Sequence, residues 1–251
     1  MSETLAINEI YLSLQGESTF TGLPCIFVRL TGCNLRCSYC DTAYAFTQGG
    51  KQDLEHVLHE VRRLAAPFGR QPSSLVPRSS PLRLPLVELT GGEPLLQGNA
   101  VPLMSALCED GFTVLLETSG AHDISAVDPR VHRIMDLKCP SSGEASRNRW
   151  ENLAELRPTD EIKFVIGTEE DYTWTKDKIR EHRLERICPL LVSWVHPLAP
   201  EQEDQSLKPV PAGQTPISRL ALAERIIADA LPVRFQIQMH KVIWPPEQRG
   251  V

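Results

Sequence analysis

Seven short apolar runs, interleaved with stretches of helical spacing, limit what this chain can fold into. Residues 26–31, 86–90, 113–117, 133–137, 162–166, 190–195 and 234–239 are rich in Val, Ile and Leu without strict alternation. Strands read this way when helices cover one face of a sheet and packed side chains fill the other. Between them, 54–65, 101–109, 169–181 and 218–230 show helical spacing, with Ser218 placed to cap the last. Such alternation predicts βαβ units around a parallel sheet, an α/β fold. Two segments interrupt it. Residues 67–85 hold five prolines and four serines, and 197–216 are rich in Pro, Gln and acidic residues. The first reads as an insertion and the second as a long loop or lid, because βα units resume beyond each. One domain spanning 1–251 is expected.

At 251 residues the chain is long enough for a full core, and no apolar run approaches a membrane span. The start, Met1-Ser2-Glu3-Thr4-Leu5, shows no basic region followed by an apolar stretch, so no signal peptide is expected. In the cytoplasm its seven cysteines would stay reduced and open to metal. A net charge of −6 argues against broad nucleic-acid binding and leaves a small molecule as the expected substrate.

The loop after the first run is Cys33-Asn34-Leu35-Arg36-Cys37-Ser38-Tyr39-Cys40. Three thiolates at this spacing can reach one inorganic centre, yet supply no fourth ligand. Structural zinc sites close with four protein ligands, and cubane iron–sulfur clusters usually take four cysteines. Three leave one metal position open for chemistry. A zinc knuckle that borrows a remote His is the alternative. After the second run comes Thr90-Gly91-Gly92-Glu93-Pro94, where a glycine pair lets backbone approach a ligand closely or simply makes a turn.

The cysteine spacing together with the Gly-Gly-Glu-Pro segment resembles the radical SAM superfamily. Within it, Glu9 to Ser18, Gly22-Leu23-Pro24, Phe27 to Cys33, Cys40-Asp41-Thr42, Glu117 to Gly120, Asp136 to Pro140 and Gln238 to Lys241 resemble the 7-carboxy-7-deazaguanine synthase family, in order and over most of the chain. The resemblance implies an incomplete parallel (β/α) barrel with its site at the carboxyl ends of the strands. It implies a 4Fe–4S cluster on Cys33, Cys37 and Cys40, and S-adenosylmethionine on the open iron. The implied reaction converts 6-carboxy-5,6,7,8-tetrahydropterin to 7-carboxy-7-deazaguanine with loss of ammonia, by way of a 5′-deoxyadenosyl radical that takes a hydrogen from C6.

Carried over by that resemblance, Gly91, Gly92 and Glu93 hold the amino group of S-adenosylmethionine. Tyr39, Asp41, Ser119, Asp136, Lys138 and, more weakly marked, Ser193 line its pocket. Leu14, Gln15, Gly16, Glu17, Arg29, Thr90 and His240 contact the substrate, and Glu117 positions it or relays a proton. Arg29 also suits the substrate carboxylate on its own chemistry, being a planar and permanently charged fork. The hydroxyl of Thr42 completes a Mg2+ shell, as a hard oxygen ligand can. An electron donor such as flavodoxin or ferredoxin and a homodimer are implied as partners, and 67–85 is a candidate for docking the donor.

Two departures from the family stand out. The chain continues from Val242 to Val251 past the point where some members end, which puts a role for the terminal carboxylate in doubt and leaves Trp244 to pack on the barrel mouth. Pro140 to Glu144 replaces a Ser-Pro-Lys segment, which weakens the assignment of Asp136 and Lys138. Cys25, Cys108, Cys139 and Cys188 read as buried small hydrophobes, and His56 and His59 as one solvated helix face. An activase of a glycyl-radical enzyme shares the cysteine and glycine motifs, and a non-catalytic metal or redox module is the reading from a different class. Four irons with sulfide, against one zinc, separates the last from the enzyme.

Overall fold

The computed structural model describes residues 3–69, 82–245 and 248–251; the greater part of the 67–85 segment lies outside them. The strands are β1 (Thr4–Leu14), β2 (Pro24–Leu30), β3 (Gly50–Asp53), β4 (Leu86–Gly91), β5 (Val114–Thr118), β6 (His132–Asp136), β7 (Glu161–Ile166), β8 (Leu190–Trp194) and β9 (Arg234–Gln236). They form one sheet in the order β3-β1-β2-β4-β5-β6-β7-β8-β9. From β2 through β9 every pairing in that order is parallel, and β1 runs antiparallel to β2 and β3. The end strands β3 and β9 do not pair, so the barrel is incomplete. Helices α1 (Leu54–Ala65), α2 (Ala100–Glu109), α3 (Glu169–His182) and α4 (Arg219–Ala228) follow the amphipathic stretches, and α5 (His240–Ile243) is a single turn. Ser218 caps α4 by accepting from Ala221 N at 3.1 Å.

Strand periodicity sorts the side chains into two cores. Val28, Leu30, Val87, Leu89, Leu116, Met135 and Phe164 belong to the larger cluster, which also takes in the buried faces of α1 and α2. Each fully buried aliphatic side chain of this kind contributes about 1.5–3 kcal/mol. The alternate residues form a second cluster of Phe20, Phe27, Leu86, Leu115 and Ile134. Two residues further along their strands, the same face carries Glu88, Glu117 and Asp136, all three on the wall of a cavity. The barrel thus has an apolar floor and a charged storey above it.

Strands β1 and β3 were not among the expected runs. In β1 the register slips between Ile7 and Glu9, a bulge at Asn8. A bulge re-aims the residues beyond it. Leu5 and Ile7 join the outer core, whereas Glu9 and Tyr11 bond Arg29 on β2. The run expected at 234–239 pairs only from Arg234 to Gln236, and His240, expected at a strand end, instead opens α5. Cys25 and Cys139 are fully buried, with Cys108 and Cys188 nearly so.

Candidate active site

Cys33, Cys37 and Cys40 line a cavity of about 510 Å3 at the carboxyl ends of the strands. Their loop is gripped from the segment after β6. Ser38 N donates to Ser142 O (3.1 Å), Ser38 Oγ to Ser141 O (2.7 Å), and Arg36 N to the buried Glu144 Oε1 (2.7 Å). Lys208, from the 197–216 loop, pairs with Glu144 at 2.9 Å and donates its backbone N–H to Arg36 O. The segment that departs from the family pattern therefore holds the cysteine loop in place. Burial raises all three thiols, Cys37 to about 11 and Cys40 to about 12.

Gly92 packs against that loop with no room for a side chain. A Cβ there would lie 2.1 Å from Gly32 O and 2.9 Å from Cys33 Cβ, while Gly91 sits at φ +131° hard against Leu30. Glu93 turns away from the cavity. Fully buried, it accepts from Leu95 N, Thr118 Oγ1, Ser119 N and Ser119 Oγ at 2.6–3.1 Å. Its carboxylate joins the end of β4 to the end of β5, which leaves the backbone of the Gly91-Gly92-Glu93 turn as the part of this segment that can meet a cofactor.

The charged storey centres on Lys163 of β7, a residue that sequence reasoning missed. Its ammonium contacts Glu117 Oε1, lies 3.3 Å from Glu17 Oε2 and 3.9 Å from Asp136 Oδ2, and is nearly buried. Burial alone would raise Glu117, but the Lys163 charge holds it below the ordinary carboxylate range. Burial disfavours the Lys163 charge, yet Glu117, Glu17 and Asp136 keep its pKa well above normal. Thr90 Oγ1 donates to Glu117 at 3.3 Å. Ser193, read above with the cofactor pocket, donates instead to Glu17 Oε1 (3.1 Å). Glu88, also missed, lies at the cavity wall and accepts from Gln15 Nε2. Both were hidden because each is one polar residue inside an apolar run; the signal was that such a residue falls on the inward period.

Arg29 is oriented by Glu9 (Nε to Oε1, 2.8 Å) and Tyr11 (Nη2 to OH, 2.8 Å), while Tyr44 donates to Glu9 at 2.9 Å. Lys138 bonds Asp136 Oδ2 at 2.8 Å. Thr42 Oγ1 donates to Asp41 Oδ1 (2.7 Å), and Lys241 pairs with Asp41 at 2.5 Å. Burial would raise the Asp41 carboxyl, but Lys241 brings it below its usual range. His240 packs against Gly16, where a Cβ would stand 2.5 Å from the ring; burial lowers its pKa. The chain end returns to the mouth. Gln248 to Val251 line the cavity, with Arg249 bonded to Gln48 (2.8 Å) and lying 3.8 Å over the Tyr44 ring. Gln248 to Val251 thus close on the site rather than leaving it.

Residues 27–139 match the radical SAM superfamily. A 7-carboxy-7-deazaguanine synthase from Koribacter versatilis is 42% identical, covering 98% of this chain and 100% of its own. One from Chlorobaculum tepidum is 41% identical, covering 98% and 97%. The chain belongs to the 7-carboxy-7-deazaguanine synthase family. In fold, it is similar to QueE from Escherichia coli, with a TM-score of 0.64 at 23% identity over 94% of this chain and 95% of that one.

The residues fit the groups that this radical SAM family uses, a 4Fe–4S cluster and S-adenosylmethionine. Three cysteines share one cavity wall with a glycine pair whose missing side chains let the strand end lie hard against the cysteine loop and Leu30. Two buried polar atoms beside them, Tyr39 OH and Asp136 Oδ1, have no hydrogen-bond partner among the described residues, as expected where a polar ligand completes the hydrogen bonding. The cluster would be held by Cys33, Cys37 and Cys40, and S-adenosylmethionine by Gly91, Gly92, Ser119 and Asp136.

Proposed function

We propose that this chain catalyses the reaction named for its family, conversion of 6-carboxy-5,6,7,8-tetrahydropterin to 7-carboxy-7-deazaguanine with release of ammonia, as one radical SAM domain. The observation that carries it is that a charged chamber of Glu17, Arg29, Glu117 and Lys163 opens into the same cavity as the three cysteines and the glycine pair. When bound, the cluster and S-adenosylmethionine supply hydrogen-abstracting radical chemistry. The chain's own residues bind and orient. Arg29, with Nε and Nη2 engaged by Glu9 and Tyr11, keeps Nη1 for a substrate carboxylate. Glu17 accepts from ring N–H or amino groups. Glu117, ionised against Lys163, accepts a proton from the ring, and Lys163 steadies the charge. His240 and the chain end exclude water from the mouth.

Mg2+ beside the substrate belongs to the same proposal. The Thr42 hydroxyl donates its hydrogen to Asp41, so its lone pairs remain available to a hard cation. A homodimer is supported by apolar side chains left open on α4 and α5, among them Leu220 (68% exposed) and Ile227 (79%). A flavodoxin- or ferredoxin-type electron donor and a cytoplasmic setting complete it, supported by the reducing conditions that seven unpaired cysteines and a reducible cluster require. Among the described residues no helix is long and apolar enough to cross a membrane.

The test is anaerobic reconstitution followed by incubation with the carboxytetrahydropterin, S-adenosylmethionine, a reductant and Mg2+. The deazaguanine product and ammonia are expected. Full iron loading with neither product would refute the assignment. Thr42→Ala should abolish Mg2+ stimulation while leaving iron content intact; unchanged metal dependence would remove the Mg2+ role.

A further inference from the structure

Among the described residues, Glu88 is a carboxylate of the charged storey without a cation of its own. It is 1% exposed, between Leu86 in the floor and Thr90 at the glycine turn, and it reaches the cavity wall. The titratable and charged groups facing it are Tyr11 from β1, Glu17 from the loop after β1, Cys25 and Arg29 from β2, Glu117 from β5 and Lys163 from β7. Two of these are cations, and both are engaged elsewhere. Arg29 serves Glu9 and Tyr11, each at 2.8 Å. Lys163 serves Glu117 and Glu17. Glu88 receives its hydrogen bond from a neutral amide, Gln15 Nε2. Burial, a neutral amide as hydrogen-bond donor and two neighbouring carboxylates all disfavour the ionised form of such a group. Burial, and then the Glu117 charge, push the group well above the ordinary carboxylate range.

We infer that Glu88 stands in the cavity wall as a neutral carboxylic acid, a positioning residue that sets the Gln15 amide and offers its O–H to an acceptor atom of the bound heterocycle. Gln15 Oε1 accepts from Glu17 N at 2.7 Å, so the Glu88 bond to Nε2 decides which way the amide points and steadies the Glu17 backbone. A ring edge that mixes donors and acceptors then meets an acceptor in Glu17 and a donor in Glu88. The identity of that ring rests on the pterin assignment above.

The test compares wild type, Glu88→Gln and Glu88→Leu as reconstituted enzymes. Gln keeps one acceptor and one donor, whereas Leu keeps neither. Glu88→Gln should hold KM within about twofold, and Glu88→Leu should raise it about tenfold or more. Wild-type affinity should fall as pH rises into the range where Glu88 ionises, and Glu88→Gln should stay flat there. Infrared spectra with carboxyl-labelled glutamate, recorded near about pH 7, should show a protonated carboxyl band in wild type that Glu88→Gln lacks. Identical spectra for those two proteins would overturn the inference. So would damage from Glu88→Gln equal to that from Glu88→Leu, because a carboxylate would then be required. If Glu88→Leu fails to fold, the infrared comparison and the Glu88→Gln pH profile decide. Failure of the pterin reaction would appear as absent wild-type turnover, and the infrared result, which needs no substrate, would still stand or fall by itself.

Discussion

Lys163→Met removes the ammonium at the centre of the charged storey while keeping most of its apolar stem. In wild type that ammonium contacts Glu117, lies 3.3 Å from Glu17 and 3.9 Å from Asp136, and is 5% exposed. Breaking a buried pair by deleting one partner costs about 3–5 kcal/mol. The proton gives an independent figure. If Glu117 must be neutral in the folded variant at about pH 7, the cost is roughly 1.36 kcal/mol for each unit above its free value near 4.3, or about 3.7 kcal/mol. The sign with pH follows. In wild type Glu117 is held low, so its contribution is fully present above the unfolded carboxylate pKa and is lost only as pH falls through the folded one. In the variant the folded pKa is raised, so stability returns as the medium becomes acid. Between about pH 7 and about pH 5 the deficit should shrink by about 2.7 kcal/mol for one bound proton. Equilibrium urea unfolding at both pH values, followed by circular dichroism and tryptophan fluorescence with coincident transitions, measures this. A deficit below about 1 kcal/mol at neutral pH, or one identical at both, would refute the Lys163-centred network.

Gly92→Ala would drive a Cβ to 2.1 Å from Gly32 O, so iron per chain after reconstitution should fall far below wild type; normal loading would contradict that close packing. Glu93→Gln puts an amide donor where Ser119 N and Oγ both donate, and should lower stability by about 1–3 kcal/mol in thermal melts, with an unchanged Tm as the contrary result. For Asp41, whose carboxyl is held low by Lys241, stabilisation is present above the unfolded carboxylate pKa and vanishes as pH falls through the folded value. Asp41→Asn should therefore unfold more readily at neutral pH and lose less on acidification; an unaltered acid transition would mean the Lys241 pair contributes nothing.

The cysteine loop, the Gly91-Gly92 turn and the seven parallel runs were legible because each is a local pattern. Thiolate spacing, a missing Cβ and a strand period need no knowledge of what lies across the barrel. The direction of the Glu93 side chain was not legible, because the local motif leaves its rotamer open and Thr118 and Ser119, some 25 residues on, turn it inward. The β1 bulge was also illegible, since register depends on the partner strand. For the chain end, sequence alone shows only that residues continue past His240-Lys241. Its return to Gln48 and Tyr44 is a contact across the whole fold.

What the sequence determined by itself is the type of chemistry. Three closely spaced cysteines and a glycine pair at a strand end carry the resemblance to radical SAM enzymes, and with it the open metal site and its ligand, whatever the barrel around them. Tertiary structure decided the electrostatics of the chamber. Glu17, Glu88, Glu117, Asp136 and Lys163 are scattered over almost 150 residues of chain, and only closure of the strands places five ionisable groups on the wall of one cavity. There each charge depends on its neighbours, because low dielectric makes both an ion pair and an unpaired carboxylate count for several kcal/mol. A sequence names the acids and the lysine; the fold decides which of them keeps its charge.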